Sequence, residues 1–231
     1  MKKLCFLLLC VVFVSVSYSQ QVRLGIEAGL NLSNMTISPF PTDVSKSAIG
    51  GARVGMLIDV PLGSSFFIQT GLFYNRLGTK ISGSNLNYSP PVTETETLLL
   101  NYVHIPFVII YKIPAGQGYI FCGAGFYYGL GTSGQVKLSQ SQGNFHYDSS
   151  FHINFGSSPT DDFKNADLGI VGNAGYEMRN GFLLRLGFDV GVSNISNSQG
   201  LTEKNACFHF SAGYLFGNRR AKRSVKPQWR R

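Results

Sequence analysis

Hydrophobic and polar residues alternate along positions 22–33. Val22, Leu24, Ile26, Ala28, Leu30 and Leu32 fall on one side, and Arg23, Gly25, Glu27, Gly29, Asn31 and Ser33 on the other. A period of two sends these sets to opposite faces of a strand. The pattern recurs, and eight strands are predicted: 22–34, 49–60, 65–78, 97–113, 119–131, 167–178, 181–193 and 205–216. Each reaches the ~9–11 residues that a tilted strand needs to cross a bilayer. One face is apolar throughout, as in Val54, Met56 and Ile58, Val103, Ile105 and Phe107, or Leu184, Leu186 and Phe188. The other is rich in glycine and carries Arg23, Glu27, Arg53, Asp59, Lys112, Asp167, Glu177, Arg185 and Asp189. Both signs occur there, so the expectation is a closed interior of paired charges rather than an open channel.

The connections alternate in length. Three are short, at 61–64, 114–118 and 179–180, and hold the Pro, Gly and Asn that tight turns require. Four are long, at 35–48, 79–96, 132–166 and 194–204. Strict alternation of this kind is expected of a barrel with short periplasmic turns and longer outer loops. Outward aromatics gather near the short-turn ends (Phe66, Tyr111, Tyr176, Phe182, Tyr214, Phe216), with Tyr74 and Tyr128 near the other rim, as in an interfacial girdle. The predicted fold is all-β, an eight-stranded antiparallel up-and-down transmembrane β-barrel.

Composition strengthens this picture. Charged residues are 14% of the 231, against about 25% in soluble domains, so much of the surface is expected to face something other than water. Lys2 and Lys3 followed by an apolar run to Val16 and by Ser17-Tyr18-Ser19 read as a signal peptide over 1–19. That run is shorter than the ~20 residues of a helical span. The barrel is then expected over 20–218 and a basic periplasmic tail over 219–231, with both termini periplasmic. The formal charge of +8 is unevenly placed: eleven Lys and Arg face twelve Asp and Glu between leader and tail, and the tail holds seven basic residues and Trp229. Of the four cysteines, Cys5 and Cys10 lie in the leader. By parity Cys122 points outward and Cys207 inward, which disfavours a disulfide.

Candidate chemistry is sparse. Gly129, Gly131 and Gly134 match a dinucleotide-binding spacing, but that motif needs a following helix; no cofactor is expected. His209 and Ser211 share the inward face of the last strand, without a sign of an oxyanion site. His104 reads as an interior hydrogen-bonding residue. His146 and His152, in the longest loop, lack the further Cys or His of a metal site. No catalytic, cofactor or metal residue is therefore assigned. The 132–166 loop, with Phe145, Tyr147, Phe151, Phe155 and Phe163, suits either a binding surface or a strand pair extended past the membrane. The basic tail suits a solvated segment, anionic headgroups or a periplasmic protein, and its compartment argues against nucleic acid.

Four segments carry a family resemblance. They are Asn101-Tyr102-Val103-His104-Ile105-Pro106-Phe107-Val108-Ile109-Ile110-Tyr111, Gly71-Leu72-Phe73-Tyr74-Asn75-Arg76-Leu77-Gly78, Gly191-Val192-Ser193-Asn194-Ile195, and Phe210-Ser211-Ala212-Gly213-Tyr214-Leu215-Phe216. Together they resemble the PorT-like outer-membrane β-barrel family of Gram-negative bacteria. The resemblance implies an outer-membrane barrel and, for one branch, a link to type IX protein secretion. It implies no catalytic residues. The expectation is a non-enzymatic protein in contact with outer-membrane lipid, with a structural, adhesion or secretion-associated role. Protein partners would be met through 132–166 or the tail. Two alternatives stand beside it: a lipid-modifying barrel enzyme, and a soluble periplasmic lipocalin-like binder with its faces reversed.

Overall fold

The computed structural model describes residues 22–85, 91–158 and 160–217. The predicted leader and the basic tail lie outside these residues. Nine strands follow in chain order: β1 (Arg23–Ser38), β2 (Val44–Pro61), β3 (Phe66–Asn85), β4 (Val92–Ala115), β5 (Gly118–Gln142), β6 (Phe145–Ile153), β7 (Ala166–Met178), β8 (Phe182–Gly191) and β9 (Thr202–Leu215). Eight of them pair in a ring, β1-β2-β3-β4-β5-β7-β8-β9 and back to β1, with every pairing antiparallel. Closure leaves no unpaired edge around the barrel wall. The eight predicted strands are these eight, and β6 is an addition.

The faces fall as the alternation requires. Arg23, Glu27, Arg53, Asp59, Lys112, Asp167, Glu177, Arg185 and Asp189 are all buried in the lumen. Leu30 (71% exposed), Leu32 (63%) and Phe208 (71%) lie on the outer wall, where only a non-aqueous surround would cover them. Cys122 is exposed and Cys207 buried, on opposite faces as parity demands. At the short-turn end the aromatics pair up: the Phe66 and Tyr111 rings stand 4.9 Å apart, and those of Tyr214 and Phe216 5.3 Å apart.

Most of the long connections differ from the expectation. Residues 35–48 are not the loop that their composition predicts: β1 runs to Ser38 and β2 begins at Val44. In 79–96, strand continues to Asn85 and resumes at Val92; in 194–204, β9 begins at Thr202. The 132–166 segment takes one of its two expected forms, the strand pair extended past the barrel wall. There β5 continues to Gln142, turns at Gly143-Asn144, and returns as β6, paired from Gly134↔Ile153 to Gln142↔Phe145. Past the apolar band both faces can be wet, so the hydrophobic contrast that marks the strands fades while the backbone ladder continues. Segments such as Thr93-Glu94-Thr95-Glu96-Thr97 hold β-branched residues at alternate positions and extend without an apolar face.

Candidate functional site in the barrel lumen and mouth

From the short-turn end upward the lumen is stacked in layers of polar side chains, each supplied by several strands. In the lowest, Arg23 donates to Asp59 at 2.5 Å and to Glu177 at 2.6 Å. Lys112 bridges the same two carboxylates at 2.9 and 2.8 Å. Four strands thus close a square of alternating charge, and Gln69 adds a bond to Asp59 at 2.8 Å. Above it, Glu27 accepts from Arg185 at 3.1 Å and from the Ser211 hydroxyl at 2.7 Å, while Arg185 also donates to Gln69 at 2.9 Å.

The next layer centres on Asp189. Arg53 Nη1 lies 3.3 Å from it, and the imidazoles of His104 and His209 each lie 3.7 Å from one of its two oxygens. His104 stacks on Tyr127, with ring centroids 4.4 Å apart. A Cβ at Gly187 would stand 2.4 Å from His209 Nε2, so the glycine there makes room for the imidazole. The uppermost polar group is Asp167, which accepts from Tyr127 at 3.0 Å, Asn205 at 2.9 Å and Ser193 at 3.2 Å.

Three cations also lie over inward aromatics: Arg53 on Phe73 at 4.1 Å, Lys112 on Phe67 at 4.3 Å and Arg185 on Phe121 at 5.3 Å. Such stacking favours a desolvated cation by about 2 kcal/mol. Over the polar layers sits an apolar cap that includes Met35, Leu77, Leu100, Tyr102, Ile153 and Ile195. It is completed by the connection after β6, where Phe155 bridges Phe163 and Phe163 bridges Ser196. Asn197 Nδ2 ties the two connections together by donating to the carbonyls of Gly156 at 3.2 Å and Asp161 at 3.1 Å.

The structure places the candidate residues named from the sequence without building a reactive pair from them. His209 and Ser211 share the inward face, but the Ser211 hydroxyl donates to Glu27. His104 is an interior residue as expected, buried with its Nδ1 3.7 Å from Asp189 Oδ2. Gly129, Gly131 and Gly134 lie within the continuous strand β5 rather than before a helix. His146 and His152 both lie on β6, and no cluster of three metal-ligating side chains occurs among the described residues. Sequence reasoning misses Gln69, Tyr127 and Asn205 as network members, and the cap. Inward parity is the available signal. Nothing in it says which inward residues meet, because partners come from strands as far apart as β1 and β7.

A closed antiparallel ring, an apolar outer wall and an ion-paired lumen are the properties of a transmembrane barrel. Residues 18–197 match the family model of the outer membrane protein beta-barrel domain. The chain belongs to that family. As an outer-membrane barrel it also aligns with solved structures at low identity. With Ail, the attachment invasion locus protein of Yersinia pestis, identity is 11%, over 85% of this chain and 99% of that one, at a TM-score of 0.37. With the outer membrane protein OprG from Pseudomonas aeruginosa it is 10%, over 85% and 97%, at 0.43. With the outer membrane protease OmpT from Escherichia coli it is 10%, over 87% and 99%, at 0.35. At these scores no property of those proteins transfers to this barrel. No curated protein matches the chain.

Proposed function

We propose that this outer-membrane barrel is non-enzymatic and sealed, and that its role is structural, adhesive or secretion-associated, exercised through the long hairpins at the end opposite the termini. The observation that carries the reading is the filled lumen. Three ion-paired layers beneath an apolar cap occupy the route that a solute would take, so the working surface is the exterior of the hairpin end. The engagement of Ser211 with Glu27, rather than with His209, supports the non-enzymatic part. The PorT-like assignment within the family is part of the same proposal, supported by the segment at 101–111 and the Gly213-Tyr214-Leu215-Phe216 ending. So are the periplasmic placement of both termini, a cleaved leader over 1–19 and contact with outer-membrane lipid.

The test is expression in a Gram-negative host. The protein is expected in the outer-membrane fraction, extracted only by detergent, with heat-modifiable gel mobility. A Ser149→Cys change on β6, in a Cys122→Ser background, should react with an impermeant maleimide on intact cells. Recovery as a detergent-free soluble protein would overturn the membrane reading, and labelling only after lysis would reverse the orientation. Turnover of lipid A or phospholipid by the purified barrel, lost in His209→Ala, would overturn the non-enzymatic reading.

A further inference from the structure

Beyond the barrel wall the hairpin extensions continue the sheet as a five-stranded flap. Residues 44–48 of β2, 79–85 of β3, 92–98 of β4, 134–142 of β5 and all of β6 pair in that order. Among the described residues neither of its edges is paired. β6 pairs only with β5, and beyond Ser33 strand β1 leaves β2 and pairs with β9. The register aligns Val44, Gly83, Glu94, Gln140 and Tyr147 in one row across the sheet, and Lys46, Ile81, Glu96, Leu138 and Ser149 in the row below.

Along this face opens a cleft of about 1220 Å³. Its described lining holds Asp43, Glu94 and Glu96 and contains neither lysine nor arginine. Phe145 and Tyr147 stand at its border, 83% and 65% exposed. Lys46 is engaged elsewhere: its ammonium donates to the Met35 carbonyl and lies 5.4 Å from the centre of the Phe40 ring. Burial and the neighbouring Glu94 carboxylate hold Glu96 above the usual glutamate range. Glu203, at the mouth below, is raised in the same way by burial and by Glu96. The opposite face of the sheet carries Lys80 and Lys137 in register across Thr97. The sheet therefore has one basic side and one concave side with three carboxylates and two exposed aromatics, whose one lysine, Lys46, is turned to Met35 and Phe40.

An uncompensated group of carboxylates among aliphatic and aromatic walls suits a cation that brings apolar surface with it. Five strands at about 4.8 Å spacing give a face roughly 20 Å wide, the scale of a peptide rather than a single ion. The free β6 edge beside Phe145 and Tyr147 also offers backbone donors and acceptors to an extended chain. We propose that the concave outer face binds an extended segment of another polypeptide in which lysine or arginine alternates with apolar residues. This rests on the reading that the hairpin end stands clear of lipid.

The full chain, in nanodiscs of zwitterionic phosphatidylcholine, is titrated with a fluorescent peptide alternating lysine and leucine and, separately, with one alternating glutamate and leucine. Anisotropy should show saturable binding of the first peptide alone. That binding should weaken as salt is added. Glu94→Gln with Glu96→Gln, and separately Phe145→Ser with Tyr147→Ser, should each weaken it about tenfold. Heat-modifiable mobility should stay intact, since these residues lie beyond the barrel ring. Equal binding of both peptides, no saturable binding, or an unchanged affinity in the carboxamide variant would overturn the proposal. A concentration-dependent dimer in sedimentation, abolished by Phe145→Ser with Tyr147→Ser, would assign the face to a second copy and overturn it as well. Failure of the barrel itself is distinct, since it appears as loss of heat-modifiability before any peptide is added.

Discussion

Lys112 is the residue on which the lowest layer turns. It is 1% exposed and bridges Asp59 and Glu177, so removing its charge strands two carboxylates where water is scarce. Breaking a buried pair of this kind costs about 3–5 kcal/mol. Lys112→Met is therefore expected to lower the stability read from urea unfolding in detergent by that measure, whereas Ile109→Leu on the outer wall leaves it unchanged. An unaltered midpoint for Lys112→Met would show that the square contributes nothing to stability. Gly181 is constrained by its backbone instead. Its φ of +97° lies in the region that favours glycine, and a Cβ would stand 2.2 Å from the Leu215 carbonyl oxygen. Gly181→Ala should destabilise by about 1–3 kcal/mol in the same titration, and should do so through the β7–β8 turn without touching the lumen. At this scale the sequence is readable for identity and face: all nine interior charges named from parity are buried. It is silent on pairing, because Arg23 meets Glu177 across 154 positions of chain.

Among the elements, the mouth is where sequence pattern and structure part. Alternation locates the barrel-wall portion of each strand, since there one face is an apolar exterior and the other a packed interior. It stops where that contrast stops, although β5 goes on to Gln142 and the backbone still pairs. The same cause hides β6, whose residues are nearly all exposed. The mouth should respond to pH. Glu96 and Glu203 are both held above the ordinary value of 4.5, so the native state binds more protons than the unfolded chain between that value and their raised ones. Their contribution to stability is full below about 4.5 and is lost as pH rises through the raised values. Hydrogen exchange in β6 and the start of β9, corrected for the intrinsic pH effect, should be slower at about pH 5 than at about pH 7.5. Glu96→Gln should reduce that difference, and a difference of opposite sign would refute the assignment.

Considered whole, the barrel is a wall around a solid rather than a pore. Deleting residues 154–165 removes part of the cap but leaves three ion-paired layers across the lumen. Single-channel recording in planar bilayers is expected to find background conductance for the wild type and for this deletion alike. Porin-sized steps in the wild type would mean that the layers do not seal it. Membership in the outer membrane protein beta-barrel domain family fixes the setting of the molecule. The concave outer sheet is the part of it proposed to meet a partner.

The number of membrane-crossing strands, their faces, the order of short and long connections and the ionic character of the interior were all determined by the sequence. A two-residue period and the chemistry of tight turns are local, and each is expressed in a few consecutive side chains. Only the tertiary structure decided which charges neutralise one another, that the lumen is capped by an apolar layer, and that the outer hairpins continue the sheet as a two-sided flap. Those outcomes depend on strand register around a closed ring, which sets side chains far apart in the chain next to one another and leaves no periodic trace in the sequence.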